Sequence, residues 1–226
     1  MRTPDAQASG HGPLRACRPA SLRPFAGLAH LSNVARLTDI VIDDALLEDA
    51  RAGKESAQRA IYAALAPATL TLIRRLVGHR ALSEDIFQDT MMTFYQRLPQ
   101  FRREAPLGAW LRRIAIRRCL MYLRSPWQRA RLCLEPVDCG VAAEVAALIT
   151  PGYGAELIDL ERALASLAPT ARAVVWMYEV EGYSHEEIAR EFGRSVSFSK
   201  SQVARAHRRL RAWYELEENR PSCSVI

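Results

Sequence analysis

The chain has 226 residues, 49% of them aliphatic or aromatic, and its 31 basic and 25 acidic residues give a formal charge of +6. That apolar share suffices for a core and excludes a mainly disordered chain, and the length suits one or two domains. No uninterrupted apolar run approaches the roughly 20 residues of a membrane span, so a soluble chain without membrane insertion is expected.

Of the 31 basic residues only Lys54 and Lys200 are lysines. The arginine excess is either compositional or a sign of phosphate and guanine recognition, which arginine serves through bidentate pairing. The five cysteines, Cys17, Cys119, Cys133, Cys139 and Cys223, form no C-x-x-C pair and have no histidine at zinc-site spacing. A reducing compartment suits them, and the sequence calls for no metal or cofactor.

Residues 1–38 carry Gly, Pro, Ala and arginines without sustained periodicity and are expected to form a flexible extension. Over 39–124 apolar residues recur at three and four, as in Ile61, Leu65, Leu72, Leu76 and then Ile86, Phe94, Leu98, with breaks expected at Gly53, Pro67, Gly78, Pro99 and Pro106. In LSEDIFQDTMMTF (82–94) Ser83 is expected to cap a helix whose first two turns hold Glu84, Asp85 and Asp89. Those acids serve the helix dipole, or dock a basic partner, or ligate a metal.

The stretch 107–124 is the most basic helix in the chain. Trp110, Leu111, Ile114 and Ala115 give it a buried side, and Arg113, Arg117 and Arg124 fall along another face. From Arg97 to Arg131 the only acid is Glu104, a density of arginine that suits a polyanion's backbone. Ser125, Pro126 and Trp127 follow, and the Trp127 ring either stacks on an unpaired base or covers the edge of the core.

Residues 125–157 lose the pattern and read as a linker. Periodicity returns for 158–214, with 215–226 as a tail. Within it, Ser184 and Glu187 form a capping box, so a helix is expected from about His185 to Phe192, with Gly193 as the turn and a second helix from about Val196. Val196, Val203, Ala206 and Leu210 mark that helix's inner side. Its outer side carries Ser197, Phe198, Ser201, Arg205, Arg208 and Arg209, flanked by Lys200 and Gln202. Hydroxyls, an amide and arginines so placed suit a helix entering a major groove. The expected fold is therefore all-α: two small helical domains joined by a flexible linker, the second a helix-turn-helix.

Together these segments resemble a sigma factor of the sigma-seventy family, in the layout of its extracytoplasmic-function group. SEDIFQDTMMTFYQRLPQF (83–101) and APLGAWLRRIAIRRCLMYLR (105–124) resemble region two, and LERALASLAPTARAVVWMYEVEGYSHEEIAREFG (160–193) with the helix after it resembles region four. The resemblance implies a non-enzymatic, cytoplasmic protein that binds core RNA polymerase through Glu84, Asp85, Gln88 and Asp89. It implies minus-ten promoter DNA on Arg113, Arg117, Arg124 and Trp127. By position in the motif it puts the minus-thirty-five element on Lys200, Ser201 and Arg205, to which the helical wheel adds Ser197, Gln202 and Arg208. An anti-sigma factor is the further partner it implies.

The chain departs from the family pattern on its DNA-facing parts. Arg117 and Met121 stand where relatives commonly carry Asn and Asp, and SFSKSQ (197–202) replaces the common GTVKSR. Two other readings fit parts of the sequence: a stand-alone helix-turn-helix regulator, and a helical metal-dependent hydrolase built on Glu84, Asp85 and Asp89.

Overall fold

The computed structural model describes residues 37–125 and 154–218. Among them eight α-helices and two short 3-10 turns form the fold, and no strand occurs. A 3-10 turn at Leu37–Asp39 leads into α1 (Asp44–Arg51), whose N-cap Asp43 accepts the amides of Ala45 and Leu46 at 3.0 and 3.3 Å. Then come α2 (Glu55–Val77), α3 (Arg80–Arg97), a 3-10 turn at Leu98–Gln100, and α4 (Leu107–Arg124).

The second module consists of α5 (Gly154–Ala165), α6 (Pro169–Glu179), α7 (His185–Phe192) and α8 (Val196–Glu218). The expected all-α architecture and terminal helix-turn-helix are both present. Trp127, residues 1–36 of the expected 1–38 extension, most of the linker and Cys133 and Cys139 lie outside the described residues; Leu37, expected in that extension, is instead buried in the core within its 3-10 turn.

Two local expectations fail. Pro67 does not interrupt its helix, because α2 runs through it from Glu55 to Val77. Proline costs one backbone bond there, but Leu65, Ala66, Thr69, Leu72 and Ile73 are buried on both sides of it, and their packing outweighs that bond. Nor does Ser83 cap α3. Gly78 ends α2 at φ +73°, and α3 starts two residues later at Arg80, capped by the His79 ring, which accepts the Leu82 amide at 3.2 Å. Ser83 is buried inside the helix and donates to the His79 carbonyl at 2.7 Å. The three acids are therefore set back from the helix N-terminus.

In the first module α2 is the central helix, packed by α1, α3 and α4. It is apolar and long enough to cross a membrane, yet here Ile61, Leu65, Ile73 and Leu76 are fully buried in a protein core. Tyr95 of α3 donates to the Gln58 carbonyl at 2.8 Å, and burial pushes its phenol up to about 12. Cys119 lies wholly inside, where burial raises its thiol pKa and makes it unreactive.

The two modules are packed together. One hydrophobic cluster continues from Leu37 through α2–α4 into α5–α8 as far as Leu210. Where α2 meets α5 and α6, Glu161 is 1% exposed and accepts from Arg75 Nε at 2.9 Å, with Arg172 Nη2 at 3.7 Å from its other oxygen. Arg172 Nε donates to the Arg75 carbonyl at 2.8 Å, and the Arg75 guanidinium lies 5.0 Å from the centre of the Trp176 ring. Gly78 permits this approach, since a Cβ there would lie 2.1 Å from Arg172 Nη1.

Candidate nucleic-acid interface

Arg113 and Arg117 stand exposed on α4, as the helical wheel requires, and line one groove of about 510 Å³. The groove is floored by aromatics. Trp110 lies between Phe94 and Phe101, at centroid distances of 5.5 and 5.0 Å, and it lines the groove with Phe101. Arg118 is fixed in the wall by Thr93, whose hydroxyl accepts from Nη2 at 2.6 Å and donates to the Asp89 carbonyl at 2.8 Å.

The loop that closes the groove turns at Arg103, a non-glycine residue at φ +58°. Its guanidinium is tied to Asp44 at 3.3 Å and to Glu48, which holds the left-handed turn in place. Cationic walls over an aromatic floor can hold a phosphate backbone and stack an unpaired base.

Sequence reasoning treated Trp110 only as core, left Arg118 unassigned, and placed Met121 on the DNA-facing side only through the family resemblance. Their signal was available: Trp110, Arg113, Arg117 and Met121 follow at three, four and four, which is one stripe of a helix. Arg124 does not join that groove. It lines a second cavity at the module boundary with Leu123, Phe192, Gly193, Arg194 and Phe198.

The helix-turn-helix forms as its sequence dictates. Ser184 Oγ accepts the Glu187 amide at 3.1 Å and Glu187 accepts the Ser184 amide at 2.8 Å, which completes the capping box. Gly193 ends α7 at φ +61°, a conformation that favours glycine. Ser195 Oγ then accepts the Phe198 amide at 3.3 Å as α8 begins.

Ser197, Lys200, Ser201, Arg205 and Arg208 are exposed on α8, and Gln202 is half-buried at the margin. Arg205 is laid along its own helix, Nε donating to the Ser201 carbonyl at 3.2 Å. Two residues of the expected outer side make contacts within their own module. Phe198 is half-buried against Phe192 at 5.7 Å between centroids, and Arg209 donates to the Ser166 carbonyl at 3.0 Å.

The four acidic and amide residues of α3 divide into two pairs. Asp85 and Gln88 are exposed. Glu84 is half-buried and faces Arg80 at 3.3 Å and Arg74 at 3.5 Å, and Asp89 accepts from the Tyr122 hydroxyl at 3.2 Å. Burial and the Asp89 carboxylate together raise the Tyr122 pKa. Glu84 and Asp89 are thus bonded to cations and a phenol of their own module, and among the described residues no group of three or more His, Cys, Asp or Glu is gathered as a metal site.

Comparison with known proteins bears on both modules. Residues 61–129 match sigma-70 region 2 and residues 157–210 match sigma-70 region 4. The RNA polymerase sigma-E factor of Streptomyces coelicolor is 33% identical over 144 residues, which cover 64% of this chain and 78% of that protein. The chain belongs to the sigma-70 family of RNA polymerase sigma factors. The ECF RNA polymerase sigma factor SigM of Mycobacterium tuberculosis is 34% identical over 128 residues, or 57% of this chain. The chain spans 62% of that relative's length. A solved sigma factor, RpoE of Bartonella quintana in complex with the anti-sigma factor NepR, aligns with a TM-score of 0.46 at 23% identity, over 72% of this chain and 98% of that one.

Proposed function

We propose that this sigma-family chain binds core RNA polymerase and directs it to promoters, acting by recognition and not by catalysis, in the bacterial cytoplasm. The observation that carries the reading is the presence of region-two and region-four modules in one chain, in that order, each with an exposed basic face.

Asp85 and Gln88, exposed on α3, form the polymerase-docking surface, supported at its edge by Glu84 and Asp89. The α4 groove with Arg113 and Arg117 takes the minus-ten element, its strands parted and a base stacked on the aromatic floor, and Arg124 and Trp127 belong to the same proposed minus-ten set. Ser197, Lys200, Ser201, Gln202, Arg205 and Arg208 of α8 read the minus-thirty-five duplex. Family membership also supports an anti-sigma protein as its regulator.

The test is co-elution of the purified chain with core RNA polymerase on a sizing column, then run-off transcription from genomic fragments. A stable complex and discrete transcripts are expected, and Asp85→Lys with Gln88→Lys should abolish the complex without unfolding the chain. A folded chain, free of any co-purified inhibitor, that never binds polymerase yet retains operator DNA alone would transfer the assignment to a stand-alone regulator.

A further inference from the structure

We propose that α1 is part of the promoter-reading machinery: its stripe of Asp44, Glu48 and Arg51 clamps the connection between α3 and α4 in one conformation, with Arg103 as the positioning residue, and so presets the α4 groove for an unpaired base. The inference deepens the promoter-reading function above and rests on it.

Asp44, Glu48 and Arg51 follow at four and three, which is one face of a helix. Another face is seated in the core by Leu47 and Ala50, 4% and 1% exposed, so the stripe is a fixed platform. It grips the connection at two points. Arg51 Nη2 donates to the Pro99 carbonyl at 3.0 Å near its start, and Arg103 meets Asp44 and Glu48 at its middle. Glu48 Oε1 joins the two grips, because it accepts from Arg51 Nη1 at 3.0 Å as well as from Arg103 Nη2.

None of the three α1 residues lines the groove, and neither does Arg103. The residues on either side of it do: Arg102 and Glu104 stand in the wall, next to Phe101 of the floor. The clamp therefore acts on the groove through the backbone.

The energetics separate holding the groove from holding the fold. Among the described residues Arg103 is the one non-glycine residue in the left-handed region, a conformation that costs stability in any L residue and that glycine would adopt freely. Its ion pairs are wet, with the side chains of Arg103, Glu48 and Asp44 39%, 57% and 83% exposed, so they add little to global stability. What the arrangement supplies is a loop of fixed geometry. A site set before binding separates one base from another more sharply than a site that must order itself around each.

The experiment uses the full chain with core RNA polymerase and a promoter found in the run-off assay, its minus-ten positions changed one at a time to every other base. Arg103→Gly keeps the turn and releases both carboxylates. Asp44→Asn with Glu48→Gln keeps Arg103 and removes the charges it meets. The readouts are the ratio of half-saturating chain concentrations between the worst and best base at each position, hydrogen exchange over 100–105, and the thermal midpoint. A ratio taken at one salt concentration cancels the phosphate contribution that all templates share.

In both variants the ratio at the most selective position should fall about tenfold and exchange over the loop should quicken. The midpoint should move by no more than about 3 °C. Unchanged exchange would overturn the clamp. Quicker exchange with the ratio unchanged, or with activity lost equally on every template, would overturn its part in base selection. If Arg103→Gly does not fold, the double amide variant carries the same readouts. A folded wild-type chain that neither binds polymerase nor transcribes from any template would remove the promoter-reading function itself, and the inference with it; every other outcome is read on a wild-type chain that transcribes.

Discussion

Arginine does opposite work at two surfaces of this chain that lie one helix apart. Arg75 and Arg172 are 3% and 4% exposed and share the single carboxylate of Glu161, so their charge is held inside the molecule. Arg113 and Arg117 stand in solvent on α4, over an aromatic floor, and the ion pair of Arg117 with Glu191 is a loose one at 3.9 Å. The residue type is the same; the neighbouring carboxylate and the access of water decide its role. An arginine-rich composition therefore does not mark a nucleic-acid surface until burial has sorted its members.

The largest effect should come from breaking the buried set. Glu161→Ala leaves two guanidiniums buried without their anion, and a loss of about 3–5 kcal/mol is expected in denaturant titration. Replacing all three groups together by apolar residues, Arg75→Leu, Glu161→Leu and Arg172→Met, should recover most of that loss, because the cost lies in the uncompensated charge. A triple variant as unstable as the single one would show that packing, and not charge, sets the junction. On the exposed side Arg205→Ala should leave stability within about 0.5 kcal/mol and weaken promoter binding by about 1–3 kcal/mol, with polymerase binding unchanged. Equal losses in stability and binding would erase the distinction between the two kinds of arginine.

What the sequence made legible follows the range of the interaction concerned. The capping box at Ser184, the glycine turn at Gly193 and the two-faced α8 depend on residues within four positions of one another, and all three appear as expected. The exposed arginines of α4 were legible for the same reason.

Longer-range features were not. Pro67 is carried by burial around α2, and Ser83 loses the cap to His79 because Gly78 turns the chain earlier. The Arg75–Glu161 pair joins residues 86 positions apart, and no local pattern announces it. Arg209 and Phe198 sit on the outer arc of the wheel yet are taken up by neighbours that the wheel does not contain.

Smaller effects test the helix-turn-helix itself. Ser184→Ala removes one half of the capping box and should cost about 1 kcal/mol, read as a lower denaturation midpoint with promoter preference unchanged. An altered preference would mean that the cap also positions α8.

The smallest effect concerns His185, the first residue of α7. Its ring stacks on Tyr178 with centroids 4.3 Å apart, and Nδ1 is 3.0 Å from Ser199 Oγ. Loss of solvent lowers its pKa below 6.5, Lys200 pushes in the same direction, and Glu186 and Glu179 oppose without reversing it. A cation at a helix N-terminus is unfavourable as well. On acidification the unfolded chain therefore takes up this proton before the folded one does. The stability associated with neutral His185 is complete above about pH 6.5 and declines as the pH falls through the lowered folded-state value. Between about pH 7.5 and 5.5 the wild-type midpoint should fall further than that of His185→Gln, which keeps a polar group beside Ser199 but cannot titrate. Parallel declines in the two proteins would assign the acid sensitivity to other groups, and would leave the Tyr178 stack as a packing contact alone.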